Sequence, residues 1–404
     1  MAVLLILRNR RFLALWSGNA LSLVGTSGVR IAYPLLALAL FDSPALAGWV
    51  AFAATLPNLL LQVPAGLVAD TVNRRTVLLT AQATGLLATA AVLLAAAVDL
   101  RGMAFLLVVA AVVEGSAFVF FNIAEVSAVR DVVDEQDRTV AFSFLEAEQP
   151  IGNLAGRAAG GALFDLSRWA PFLLNAFSYV FCLLTLATMP KRVFAPVPVA
   201  HEERRLLQGL VWLWRIPYLR LTSLITGFTN VLWQCVILLV LVVATRDDRP
   251  AWTVGVVLAA AGVGGLLAAL VTPRLSRRFP PRGLFLGCVW VWTGLLAMIA
   301  VSTHTVVLMI AWGGVGAVGT VVSVTLTVTR AQAVPDNMLG RIVSAAGVIT
   351  DGAVPIGALV GGYLLAAAGP TVTARVLLIA MLAAALLCTR FLRPAPHPVT
   401  ENAA

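Results

Sequence analysis

The chain of 404 residues is poor in charge: Asp, Glu, Lys and Arg make up 12% of it, against about 25% in an average soluble protein. With 60% hydrophobic residues, that scarcity excludes an ordinary soluble domain. Lysine occurs once, as Lys191 in TMPKRV. A phosphate-binding P-loop needs a lysine in a glycine-rich context to reach the nucleotide phosphates, so the chain carries no such loop. The three histidines (His201, His304, His397) stand far apart. The four cysteines (Cys182, Cys235, Cys288, Cys388) each sit alone in an apolar run. No metal site follows from such spacing, and the cysteines read as small core residues. Neither G-x-S-x-G nor H-E-x-x-H occurs, so the usual hydrolase signatures are missing. No catalytic residue, metal or cofactor is expected, and the chain is not read as an enzyme.

What remains is a succession of apolar runs. A membrane-spanning helix needs about 20 mostly apolar residues, so twelve would use ~240. The runs place spans near 12–40, 45–69, 76–98, 103–128, 140–164, 169–189, 219–245, 252–272, 283–301, 306–328, 342–367 and 372–392. This predicts an all-α membrane protein of twelve transmembrane helices. Residues 1–189 form a first six-helix bundle and 219–392 a second. Between them, 190–218 is a cytoplasmic linker whose RRLLQGLVWLWRIPYLR favours an amphipathic helix at the interface. Residues 393–404 are a cytoplasmic tail. The opening MAVLLILRNRRF is too short in apolar residues for a signal peptide and reads as an interfacial segment.

The formal charge of +9 does not point to nucleic acid, because it is distributed by loop. Arg101, Arg168, Arg246 and Arg249 fall in one set of loops, and Arg30, Arg157 and Arg375 lie in or beside apolar runs. All other Lys and Arg fall at the termini or in the alternate loops. This positive-inside pattern places both termini in the cytoplasm. The halves also echo each other. GLVADTVNRRTVLL and PRLSRRFPPRGLFL align Arg74 with Arg282, and VVDEQDR and AVPDNMLGR align Arg138 with Arg341. Two matches, both at offsets of roughly 200 residues, indicate a parallel duplication of a six-helix unit.

Between spans 2 and 3 the chain reads G-x-x-x-D-x-x-x-R-R, as Gly66, Asp70, Arg74 and Arg75. This resembles the major facilitator superfamily, over essentially the whole chain. The resemblance implies two pseudo-symmetric six-helix bundles and a cytoplasmic gate, with the glycine permitting close packing and the charged groups forming a lock. Thr71 and Asn73 depart from the usual basic residue and glycine. Span 5 carries G-x-x-x-G-R-x-x-G-G, as Gly152, Gly156, Arg157, Gly160 and Gly161. It is similar to the antiporter signature of drug exporters, with Arg157 where that signature has proline. A four-residue spacing puts Gly152, Gly156 and Gly160 on one close-packing ridge, repeated in span 11 by Gly357 and Gly361. The opening NRRFLALWSGNALSLVGTSGVRIAYPLL looks like the macrolide-efflux and siderophore-exporter branch of the drug:proton antiporters. That resemblance implies a monomeric multidrug-type efflux transporter of the cell (inner) membrane, exchanging amphiphilic small molecules for protons by alternating access. A facilitator or importer of a lipid or metabolite, and a non-transporting sensor or assembly protein, stay open as alternatives.

Ionisable groups inside spans cost about 2.5–3.5 kcal/mol each at a helix centre, so each needs a partner or a function. Glu114, Arg30 and Asp351 are the candidates for proton coupling, with Glu114 and Arg30 at comparable depth and expected to pair. Glu146, Glu148 and Arg157 charge one helix. Glu125, Glu146 and Glu148, nearer the cytoplasmic ends, are expected to pair with loop arginines. The apolar and aromatic wall with polar anchors that a substrate cavity needs is sought in Phe118, Phe121, Asn122, Asn230, Trp233, Gln234 and Trp312.

Overall fold

The computed structural model describes residues 9–97, 102–190, 205–246, 250–302, 304–334 and 336–392. The linker stretch 191–204, the tail 393–404 and the side chain of Glu146 lie outside the described residues.

Helix α1 (Arg10–Phe41) starts on Asn9, whose side chain accepts from the backbone N–H groups of Arg11 and Phe12, and ends at Asp42 in the left-handed region. Ser43 then accepts from the N–H of Leu46 to cap α2 (Pro44–Leu60), with Pro44 in the first turn, where a missing N–H is harmless. The predicted second span is broken. α2 and α3 (Gln62–Thr71) meet at a bend of 53° around Leu61. Pro64 has no N–H to bond back to Leu60, and Pro57 disturbs the preceding turn, which suffices for a sharp kink.

The chain continues through α4 (Arg74–Ala97), α5 (Met103–Val132), a 3₁₀ turn (Glu135–Asp137), α6 (Arg138–Leu166) and α7 (Ala170–Ala187). Then follow α8 (Arg205–Arg215), α9 (Pro217–Arg246), α10 (Ala251–Arg278), α11 (Pro281–Val301), α12 (Thr305–Ala333) and α13 (Asp336–Phe391). Among the described residues nine helices are long and apolar enough to cross a bilayer, or ten with α2 and α3 counted as one bent span. α6 has 29 residues; Glu146, Glu148 and Arg157 make it too charged for that count. The apolar stretch Ile342–Phe391 has 50 residues, ~75 Å at the helical rise, enough for two crossings. It turns at Gly369, whose φ of 72° and ψ of 173° suit glycine alone, just before Pro370. With α6 and this division the chain has its twelve spans.

Packing sorts the chain into two compact units, Met1–Ala200 with Ala244–Ala259, and His201–Val243 with Ala260–Ala404. In the first, α1 packs on α6 and α7, α4 on α5 and α7, and α2 on α5. The predicted glycine ridge faces α1: a Cβ on Gly152 would meet the Leu23 side chain, one on Gly156 Ser27, and one on Gly160 the backbone of Gly28. In the second unit α11 packs on α12 and α13, and α8 on α13. There Gly357 and Gly361 face the backbone of α9 at Val231 and Cys235. The same device thus builds the equivalent helix pair in both units.

Candidate functional site: buried acids and a polar cavity

Glu114 lies in the middle of α5, 7% exposed. Its carboxyl is hydrogen-bonded by the Thr89 hydroxyl of α4. Thr89 in turn accepts from Asn175 Nδ2 of α7 at 3.1 Å, so three helices fix this carboxyl. The expected Arg30–Glu114 ion pair does not form. The guanidinium of Arg30 lies 4.0 Å from the centroid of the Phe118 ring instead, and among the described residues the one ion pair is Arg74–Asp131. The ring face attracts the cation as the carboxylate does, and here the ring holds it. Arg30 and Glu114 still line one small cavity, about 10 Å³, with Thr26, Tyr33 and Phe118. Arg157 of α6 is half-buried and in electrostatic contact with Arg30.

Glu125 and Glu148 are arranged differently from expectation. Glu125 and Glu148 do not pair with loop arginines: they are buried, 4% and 5% exposed. Glu125 Oε2 accepts from Asn19 Nδ2 of α1 at 2.6 Å, and Glu148 interacts electrostatically with Glu125. Glu125 Oε1 and both Glu148 oxygens have no hydrogen-bond partner among the described residues. The close approach of α1 to α6 at the glycine ridge turns these carboxyls inward. Meanwhile Arg130 lies over the Phe142 ring and Arg138 bonds the Arg130 carbonyl. Glu125 with Asn19 is therefore a site that composition and spacing did not single out. An asparagine three turns before Arg30 on the same face of α1 was the available signal.

At the gate motif, Arg74 Nη1 donates to both Asp131 oxygens at 2.8 and 2.7 Å. Arg75 donates to the carbonyls of Leu186 and Ala187 at 3.1 and 3.0 Å, at the end of α7, where a cation is favoured. Asp70 ends α3, half-buried. Gly66 does not serve close packing here: a Cβ at that position would have nothing within 4 Å.

In the second unit a cavity of about 270 Å³ is lined by Asn230 and Trp233 of α9, Trp292 of α11, Ser323 and Arg330 of α12 and Asp351 of α13. It is just under the ~300 Å³ at which ligand cavities begin. Asn230 Nδ2 donates to the Thr350 carbonyl at 2.9 Å. Arg330 and Asp351 interact electrostatically across it without forming an ion pair. Of the other sequence candidates, Trp312 is 1% exposed and stacks on Trp233 at 4.3 Å between centroids. Gln234 turns toward Gly357 and is buried in helix packing. Phe121 belongs to a packed core beside Leu78 and Leu186. Phe118 lies under Arg30, and Asn122 is half-buried. Trp233 lines the cavity, and Gln234, one residue on, does not. Ser323, Thr327 and Thr226 line it as well; hydroxyls are too common in helix packing for the sequence to mark them.

Apolar spans in two glycine-ridged units, with acids buried inside them, are the architecture of a polytopic membrane protein. The family model described as "Major Facilitator Superfamily" matches residues 15–285, and the chain belongs to that family. It is 26% identical over 367 residues to the multidrug efflux pump Tap of Mycolicibacterium fortuitum, covering 87% of each chain. Its fold is similar to the crystal structure of the nucleoside transporter NupG, with a TM-score of 0.77 at 12% identity, over 95% of this chain and 99% of that one. It is also similar to a bacterial homologue of the iron transporter ferroportin in an inward-facing state, with a TM-score of 0.72 at 19% identity, over 95% and 98% of the two chains.

Proposed function

We propose that this membrane transporter exports amphiphilic small molecules in exchange for protons, with Glu114 as the coupling acid. The observation that carries the reading is the burial of Glu114 at mid-helix, held by the Thr89 hydroxyl and free of any ion pair among the described residues. A hydroxyl can donate to a carboxylate or accept from a carboxylic acid, so the site accommodates the carboxyl with or without its proton. Arg30, in the same small cavity, supplies a positive charge that favours release. One proton moving down ~150 mV contributes about 3.5 kcal/mol, enough for roughly a 300-fold substrate gradient. The similarity to a multidrug efflux pump supports export and a drug-like substrate. The cavity of the second unit supports an aromatic or amphiphilic one, with Trp233 and Trp292 as flat walls and Asn230, Arg330 and Asp351 as polar anchors.

The test is Glu114→Gln in proteoliposomes, with ethidium as a fluorescent amphiphilic probe. Uphill, proton-driven ethidium movement is lost while downhill counterflow persists. A variant that exports uphill as well as the parent protein refutes the coupling role of Glu114, and Asp351 becomes the acid to examine.

A further inference from the structure

Glu125 and Glu148 present an unsolved charge problem. Two carboxyls from α5 and α6 interact at the same buried place, and three of their four oxygens lack a hydrogen-bond donor. The polar group that does reach them is the neutral Asn19 amide. The titratable side chain facing them from α7 is Cys182; on α4 Gln82 is hydrogen-bonded with Ser22 of α1 at 3.1 Å, and Arg74 is taken up by Asp131. The ion pair in the described residues, Arg74–Asp131, involves neither acid. Two adjoining carboxylates in a low-dielectric interior repel strongly, and leaving both charged without a cation costs several kcal/mol. The pair must therefore hold positive charge whenever it is closed in.

The surroundings say which kind. Asn19, Ser22, Thr26 and Arg30 follow one another at spacings of three and four, so they share one face of α1. Along that face lie two cavities of about 10 Å³ each. One is bounded by Asn19, Ser22, Gln82, Tyr179 and Phe121, the other by Arg30, Tyr33 and Glu114. Thr26 and Phe118 line both. Each has room for about one water, and Asn19, which bonds Glu125, borders the first. The two acids of α5 are eleven residues apart, ~16 Å along the helix and on nearly the same side. Among the described residues no cluster of three or more His, Cys, Asp or Glu that could hold a metal ion occurs.

We infer that Asn19, Glu125 and Glu148 form a second proton site, in which one of the two carboxyls carries a proton and supplies it to Glu114 along the polar face of α1. The proton leaves one carboxyl of the pair, passes over hydroxyls and single waters beside Ser22 and Thr26, and arrives on Glu114. The pair is left with one more negative charge, and it takes up a replacement proton from water when the bundle next opens beside it. The supply role rests on the proton-exchange reading above; the protonation of the pair does not.

The experiment is infrared spectroscopy of the purified full-length protein, reading the carbonyl stretch of protonated carboxyl groups. The parent protein and Glu114→Gln retain a band that the double variant Glu125→Gln/Glu148→Gln lacks. Should the double variant fold poorly, either single substitution shifts the band, because the remaining acid no longer has a second carboxyl beside it. A band unchanged in all three variants overturns the proposal. So does a band abolished by sodium or calcium ions, which would make a metal cation the occupant. In proteoliposomes the single variants keep ethidium counterflow and lose uphill movement; full uphill movement overturns the supply role. If Glu114→Gln alone transports uphill, the coupling reading of Glu114 fails while the infrared band still decides the pair.

Discussion

At the scale of single residues, the structure separates charges that have partners from charges that do not. Arg74 is 9% and Asp131 16% exposed in their side chains, and one guanidinium nitrogen serves both carboxylate oxygens. Removing Arg74 strands a partly buried carboxylate, so Arg74→Gln is expected to lower stability in detergent by about 1–3 kcal/mol. In Arg74→Gln/Asp131→Asn both charges are gone, and the loss is smaller than the sum of the single losses. Thermal unfolding of the four proteins checks this, and strictly additive losses would show that the pair has no net interaction. Glu114 was legible without a structure, because a lone acid in the middle of an apolar run demands an explanation. The Glu125–Glu148 pair was not. Acids near helix ends ordinarily reach loop arginines, and only the packing of α1 against α6 shows that these two turn inward. Arg30 was misjudged for a related reason: the sequence offers Glu114 as a partner but does not reveal that the Phe118 ring lies closer.

The helices themselves were legible from their apolar runs, and their interruptions only in part. The F-D-S-P turn and the G-P step at Gly369 and Pro370 mark real ends. The bend at Leu61 falls inside a continuous apolar stretch, where two prolines seven residues apart were the signal. Helix pairing rests on glycine, and two glycines of equally recognisable motifs behave differently. A Cβ at Gly160 would stand 2.6 Å from the backbone of Gly28, where no flexible side chain can yield. Gly160→Ala should therefore force α1 and α6 apart and cost about 1–3 kcal/mol of stability. At Gly66 the space is open, and alanine is the better helix former by up to ~1 kcal/mol. Gly66→Ala should leave thermal stability equal or slightly raised. Equal destabilisation by the two substitutions would show that Gly66 packs closely after all.

For the molecule as a whole, the duplication read from Arg74 with Arg282 and from Arg138 with Arg341 reappears in space as matched glycine contacts, Gly156 and Gly160 on α1 and Gly357 and Gly361 on α9. Orientation in the membrane is a separate question, decided by the loops. The connection between α5 and α6 is flanked by Arg130 and Arg138, whereas that between α6 and α7 has Arg168 alone. Basic loops are retained on the cytoplasmic side during insertion, so the first should face the cytoplasm and the second the outside. The protein is well suited to a thiol-labelling test, because all four native cysteines are buried. Asp134 and Ser167 are exposed in these two connections and can be replaced singly by cysteine. A membrane-impermeant maleimide applied to intact cells should label Ser167→Cys and spare Asp134→Cys, and opened cells should label both. If Asp134→Cys is labelled from outside and Ser167→Cys is not, the chain is inserted the other way round. The face read here as cytoplasmic, with Arg74, Asp131 and the Glu125–Glu148 pair near it, would then be the external one.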